Sequence, residues 1–95
     1  GGVSPQELIE TAKAVSELRN IRIRGLMTIP PAGGDEKYFA HMQELFYNAK
    51  QSCSFFADAD TLSMGMSGDY AAAVKYGSTI VRIGSGLFGY RNYTV

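Results

Sequence analysis

Apolar residues recur along this chain with two different periods, and the switching between them sets out its elements. Leu8, Ile9, Ala12, Val15 and Leu18 share one face at helical spacing. Ser4-Pro5-Gln6-Glu7 marks the start of that helix: Ser4 can cap its first amides, Pro5 suits its first turn, and Glu7 stands three residues after the cap. Residues 21–29 then alternate and run continuously apolar until Pro30-Pro31 and Gly33-Gly34 stop them, which predicts a strand and a loop. From about Asp35, the residues Phe39, Met42, Phe46, Ala49 and Cys53 return to spacings of three and four, as on a helix laid against a flat surface, with His41 on the opposite face. Residues 61–66 predict a short strand. Ser67 can cap a helix beginning near Asp69, and Gly77 can end it in the left-handed conformation. Residues 79–84 form a β-branched, apolar strand expected to be covered on both faces, and they run into the turn Gly84-Ser85-Gly86.

The predicted order is helix, strand, helix, strand, helix, strand, with connections that favour right-handed crossovers and a parallel sheet. Three such units make up roughly three eighths of a (β/α)8 barrel, whose usual length of about 250 residues this chain does not approach. A small open α/β sheet is the alternative. The chain starts at Gly1-Gly2 rather than at methionine, so residues 1–95 are expected to be part of a single barrel domain rather than a complete one.

Composition narrows the function. Nine Lys plus Arg balance nine Asp plus Glu, so there is no basic footprint for nucleic acid or an acidic membrane surface. A single cysteine, Cys53, excludes an internal disulfide, and a single histidine, His41, excludes a Cys/His metal cluster. No apolar run reaches the roughly 20 residues that span a bilayer, and the expected location is the cytoplasm. His41, Lys37 and Lys50 read as a solvated helix face, and Cys53 as a small core residue. Met64 and Met66 stand beside a strand end, where packing and site lining are both open.

The chemistry concentrates at two strand ends, Leu62-Ser63-Met64-Gly65-Met66-Ser67 and Val81-Arg82-Ile83-Gly84-Ser85-Gly86. Both deliver glycine and hydroxyl residues where a parallel sheet meets its ligands, and consecutive amides there can cradle a phosphate. A Gly-Ser-Gly sequence alone is equally a plain turn. Arg82 changes that balance, because a guanidinium inside an apolar strand needs an acidic partner or a ligand. Alternation puts Ile80, Arg82 and Gly84 on one face and Val81, Ile83 and Ser85 on the other. A structural ion pair of Arg82 with Asp60 or Asp69 is the competing reading.

These same residues carry a resemblance. Arg24-Gly25-Leu26-Met27, the segment 62–67 with Asp69 and Ala73, and the segment 77–84 with Phe88-Gly89, Arg91 and Tyr93 resemble the C-terminal signature of the pyridoxal 5'-phosphate (PLP) homeostasis family, the YggS/PROSC-type proteins. The likeness covers nearly the whole chain, on three successive strands in the right order. It implies a PLP-binding barrel similar to the N-terminal domain of alanine racemase, of which this chain is the C-terminal part. By the same resemblance, Ser63 and the Gly84-Ser85 turn would bind the PLP phosphate, and Arg82 would face the pyridine nitrogen. Ser85 stands where threonine is common in the family, which keeps the hydroxyl. The lysine that forms the Schiff base belongs to an early strand outside this segment, and Lys13, Lys37, Lys50 and Lys75 match no motif.

An arginine at the ring nitrogen disfavours ring protonation and weakens the cofactor as an electron sink. The resemblance therefore implies a non-catalytic carrier and buffer of PLP. The alternatives are a PLP-dependent amino-acid racemase of the same barrel type and a plain phosphate-binding α/β module. The tail reaching Tyr93, where family members usually end, speaks against the racemase second domain. Three strands cut from a barrel leave two open edges, so the expected partner is the missing N-terminal part of the barrel or another copy of this chain.

Overall fold

The computed structural model describes residues 2–31 and 36–84. A 3-10 turn at Pro5–Glu7 leads into α1 (Leu8–Ser16), followed by β1 (Gly25–Met27), α2 (Lys37–Ser52), a second 3-10 turn at Ser54–Phe56, β2 (Thr61–Met66), α3 (Tyr70–Lys75) and β3 (Ile80–Arg82). The three strands form one parallel sheet in the order β1-β2-β3. Phe39 of α2 and Ala73 of α3 are buried in one cluster with Leu62 and Met64 of β2. Both crossover helices therefore cover the same face of the sheet. A steady strand order with every helix on one side is the arrangement of a (β/α)8 barrel, whereas a doubly wound sheet would place helices on both sides. A second cluster joins Ala12 of α1 to Ala49, Phe56 and Ala59, with Cys53 packed against it.

Both outer strands are shorter than their sequence patterns predict. β1 is three residues long and, among the described residues, pairs with β2 alone, in a register running from Gly25↔Thr61 to Met27↔Ser63. In this register residues 21–24 would fall opposite 57–60, which leave the 3-10 turn at Ser54–Phe56 and are not extended into a strand. β3 spans Ile80–Arg82 and is not covered on both faces, since Ile80 is 48% exposed on the side away from the helices. Ser4 also departs from its expected role: its hydroxyl donates to the Glu7 carboxylate at 2.8 Å instead of capping a backbone amide.

Two glycines set the strand contacts. A Cβ at Gly25 would run into the Thr61 main-chain carbonyl, so only glycine lets β1 lie this close to β2. At Gly65 the backbone has φ +106, and a Cβ would come 2.7 Å from the Ala73 Cβ. The ladder is irregular at that point. Ser63 pairs with Ile80 and Met66 with Arg82, three steps on β2 against two on β3, which is a bulge with one extra residue on β2.

Hydroxyl groups reinforce the same joint. The Thr79 hydroxyl accepts the Leu62 amide at 2.7 Å, and the Ser78 hydroxyl lies 2.6 Å from the Met64 carbonyl. Gly77 ends α3 with φ +93, as its position predicts. The beginning of α3 differs from expectation. Asp69 occupies the cap position, and its carboxylate turns back to accept the Met66 amide at 2.7 Å.

Candidate cofactor site at the strand ends

Register and alternation decide which residues meet. Met27, Ser63 and Ile80 are paired across the three strands and so share one row. Ile80 and Arg82 share a face of β3, and the bulge brings Met66 opposite Arg82. This face points away from the helices. Met27 is 59% exposed there and Met66 44%, while Ser63 and Arg82 are half-buried. Met64 faces the other way and is fully buried, so it packs and does not line the site.

Arg82 has neither of the carboxylates considered for it. Asp60 is held by Arg24 at the opposite end of the strands, through Nη2 at 2.6 Å and Nε at 3.2 Å. Asp69 is engaged with the Met66 amide. Arg82 reaches instead past β2 to the end of β1, where Nη2 donates to the Thr28 carbonyl at 3.0 Å. Its Nε is buried and has no hydrogen-bond partner among the described residues. A buried, unmatched donor on a cation is costly, and here it lies on the sheet face that also carries Ser63. A ligand with an acceptor atom over that face would satisfy it.

The Thr28 amide donates in turn to the Ser63 carbonyl at 3.1 Å. The C-terminal ends of all three strands are thus tied together around the backbone of one residue, Thr28. Sequence reasoning gave Thr28 no role, and no residue-type signal could have done so, because any residue carries a carbonyl.

Gly84 is exposed just beyond β3, and Ser85 lies outside the described residues, as do Phe88, Arg91 and Tyr93 of the family-like tail. The four lysines are all helical: Lys13 on α1, Lys37 and Lys50 on α2, and Lys75 on α3. None lies on a strand. A separate groove of about 750 Å³ follows the free edge of β1 between Pro5, Leu8, Ile29, Met42 and Leu45, with His41 also lining it. Neither Ser63 nor Arg82 lines that groove. Among the described residues no group of three or more His, Cys, Asp or Glu side chains could hold a metal ion, and no helix is long and apolar enough to cross a membrane.

Helices on one face of a parallel sheet, with Arg82 and Ser63 toward the carboxyl ends of the strands on the other, define a segment of a (β/α)8-type barrel. The chain belongs to the alanine racemase N-terminal domain family, whose sequence model matches residues 1–92. It is 45% identical over 94 residues to the pyridoxal phosphate homeostasis protein of Vibrio alginolyticus, a match covering 98% of this chain and 40% of that protein. It is 43% identical over 97 residues to the protein of the same name from Pasteurella multocida, covering 98% and 41%. PipY of Synechococcus elongatus, solved without PLP and with PLP bound, superposes with a TM-score of 0.83 at 34% identity over 94% of this chain and 43% of that one. The chain thus spans about 40% of the length of the curated relatives it matches.

Proposed function

We propose that these residues are the C-terminal part of a single PLP-binding barrel domain that carries and buffers PLP in the cytoplasm without catalysing a reaction of its own. Ser63, Gly84 and Ser85 would hold the phosphate, and Arg82 would donate to the pyridine nitrogen. One observation carries this reading: the buried, unpartnered Nε of Arg82 on the face that bears Ser63. PLP supplies the matching chemistry, an aromatic nitrogen acceptor and a phosphate at opposite ends of one small ring. The relatives' names concern PLP homeostasis, and one structural relative was solved with PLP bound, which supports the cofactor assignment. PLP supplies a reactive aldehyde for a lysine, and that lysine lies in the part of the barrel that precedes these residues. The remainder of the barrel is the proposed partner of the free edges of β1 and β3.

The test is a spectroscopic PLP titration of the full-length protein carrying Ser63→Ala or Arg82→Ala. Each change removes a hydrogen bond in which one partner is charged, worth about 1.5–3 kcal/mol, so affinity should fall by roughly 10- to 150-fold. Wild-type affinity in both variants would overturn the assignment.

A further inference from the structure

Arg82 starts from β3, yet its guanidinium is fixed beyond β2, at the end of β1. Two strand spacings of roughly 4.8 Å separate these points, so the side chain is drawn out across the sheet face. The group that holds it is a neutral carbonyl, that of Thr28, and the Thr28 amide is itself fixed on the Ser63 carbonyl. A carboxylate in this place would satisfy a guanidinium at two nitrogens and neutralise its charge. A single carbonyl does neither. It takes one N–H of Nη2, leaves the charge intact and leaves Nε unsatisfied.

We infer that Thr28 is a positioning residue of the cofactor site: its main-chain carbonyl anchors Arg82 Nη2 across β2 and thereby presents Nε, with full positive charge, to the acceptor. This rests on the proposed PLP reading of the Arg82 face. The Thr28 side chain is not required for the role. The backbone geometry of Thr28 is, and that geometry is fixed by β1 pairing through Thr28 N.

The experiment weakens the carbonyl without touching a side chain. Replacing Ile29 by its α-hydroxy analogue in the full-length protein turns the Thr28–Ile29 amide into an ester, whose carbonyl is a poorer acceptor. PLP affinity and the pH dependence of the bound-PLP absorbance are then measured in the Arg82 and Arg82→Ala backgrounds. With Arg82 present, the ester should weaken PLP roughly 3- to 10-fold and bring a ring-nitrogen titration into the accessible pH range. In the Arg82→Ala background it should change neither. An equal loss in both backgrounds would make Thr28 merely structural and overturn the inference. So would no loss with Arg82 present, provided that Arg82→Ala alone weakens PLP. If Arg82→Ala itself leaves PLP affinity unchanged the inference is overturned, and if Ser63→Ala leaves it unchanged as well the cofactor reading fails with it.

Discussion

Gly65 joins the fold to the site, and Gly65→Ala should damage both. Two separate costs arise there. The backbone sits at φ +106, outside the region that residues with a Cβ tolerate, which costs about 1–3 kcal/mol. The new methyl would also stand 2.7 Å from the Ala73 Cβ and 3.2 Å from the Val81 Cγ1, and overpacking of this kind costs about 1–3 kcal/mol more. The expected loss of stability is therefore about 2–6 kcal/mol. Ala73→Gly separates the two terms, because it removes the facing methyl and leaves φ unchanged. By itself it should cost about 1–2 kcal/mol, from helix propensity and one lost buried methyl group. In a urea-denaturation cycle the double variant should be more stable than the sum of the single changes by about 1–3 kcal/mol, the steric share. The bulge also aligns Met66 with Arg82, so Gly65→Ala should lower PLP affinity in whatever fraction remains folded. Strict additivity, or a single variant within about 0.5 kcal/mol of wild type, would refute this account of the bulge.

Two further outcomes test the frame around the site. Thr79→Val keeps shape and β-propensity but strips the Leu62 amide, in a residue only 1% exposed, of its acceptor at 2.7 Å. It should cost about 1–3 kcal/mol in chemical denaturation, with Thr79→Ser recovering most of it, and no loss would show that the hydroxyl is dispensable. The Arg24 guanidinium, and after it the Thr61 hydroxyl, hold the Asp60 carboxyl below the usual carboxylate range, and Asp60 in turn raises Arg24. A folded-state value below the unfolded one means that the contribution is fully present above the ordinary carboxylate range and disappears as pH falls through the lowered value. The stability difference between wild type and Asp60→Asn should therefore be small, because both side chains are more than half exposed, and constant near neutrality, and it should shrink in acid. A difference that grows in acid would contradict the pairing.

The parallel sheet and the helical faces were legible because they rest on periodicity, which burial enforces: Phe39 and Ala49 fall on the predicted apolar face of α2, and Leu62 and Met64 on one face of β2. What escaped depends on pairing rather than pattern. The apolar run 21–29 has the composition of a long strand, but the β ladder with β2 covers Gly25–Met27, with backbone bonds reaching one residue further at each end. Gly65 reads in sequence as a ligand-facing glycine. In the fold its main duty is to let α3 approach a bulged strand. The two acids considered for Arg82 were reasonable by charge, yet one closes the bottom of the sheet with Arg24 and the other closes the turn after β2. Charge complementarity along a sequence does not specify which end of a strand a carboxylate occupies.

The exposed apolar side chains and the unsatisfied arginine have a common origin. In a closed barrel the interior is filled by layers of side chains contributed from alternate strands, and ligands sit above those layers at the carboxyl ends. Met27, Met66 and Ile80 lie on the face that would be the interior, and each is at least 44% exposed because the described residues form three strands of the wall. Filling that interior would dry the surroundings of Arg82. A dry environment strengthens each hydrogen bond to a charged donor and raises the cost of leaving one unmade. Closing the wall should thus sharpen Arg82's preference for an acceptor above it. Because a neutral carbonyl holds the guanidinium, the charge that creates that preference survives closure.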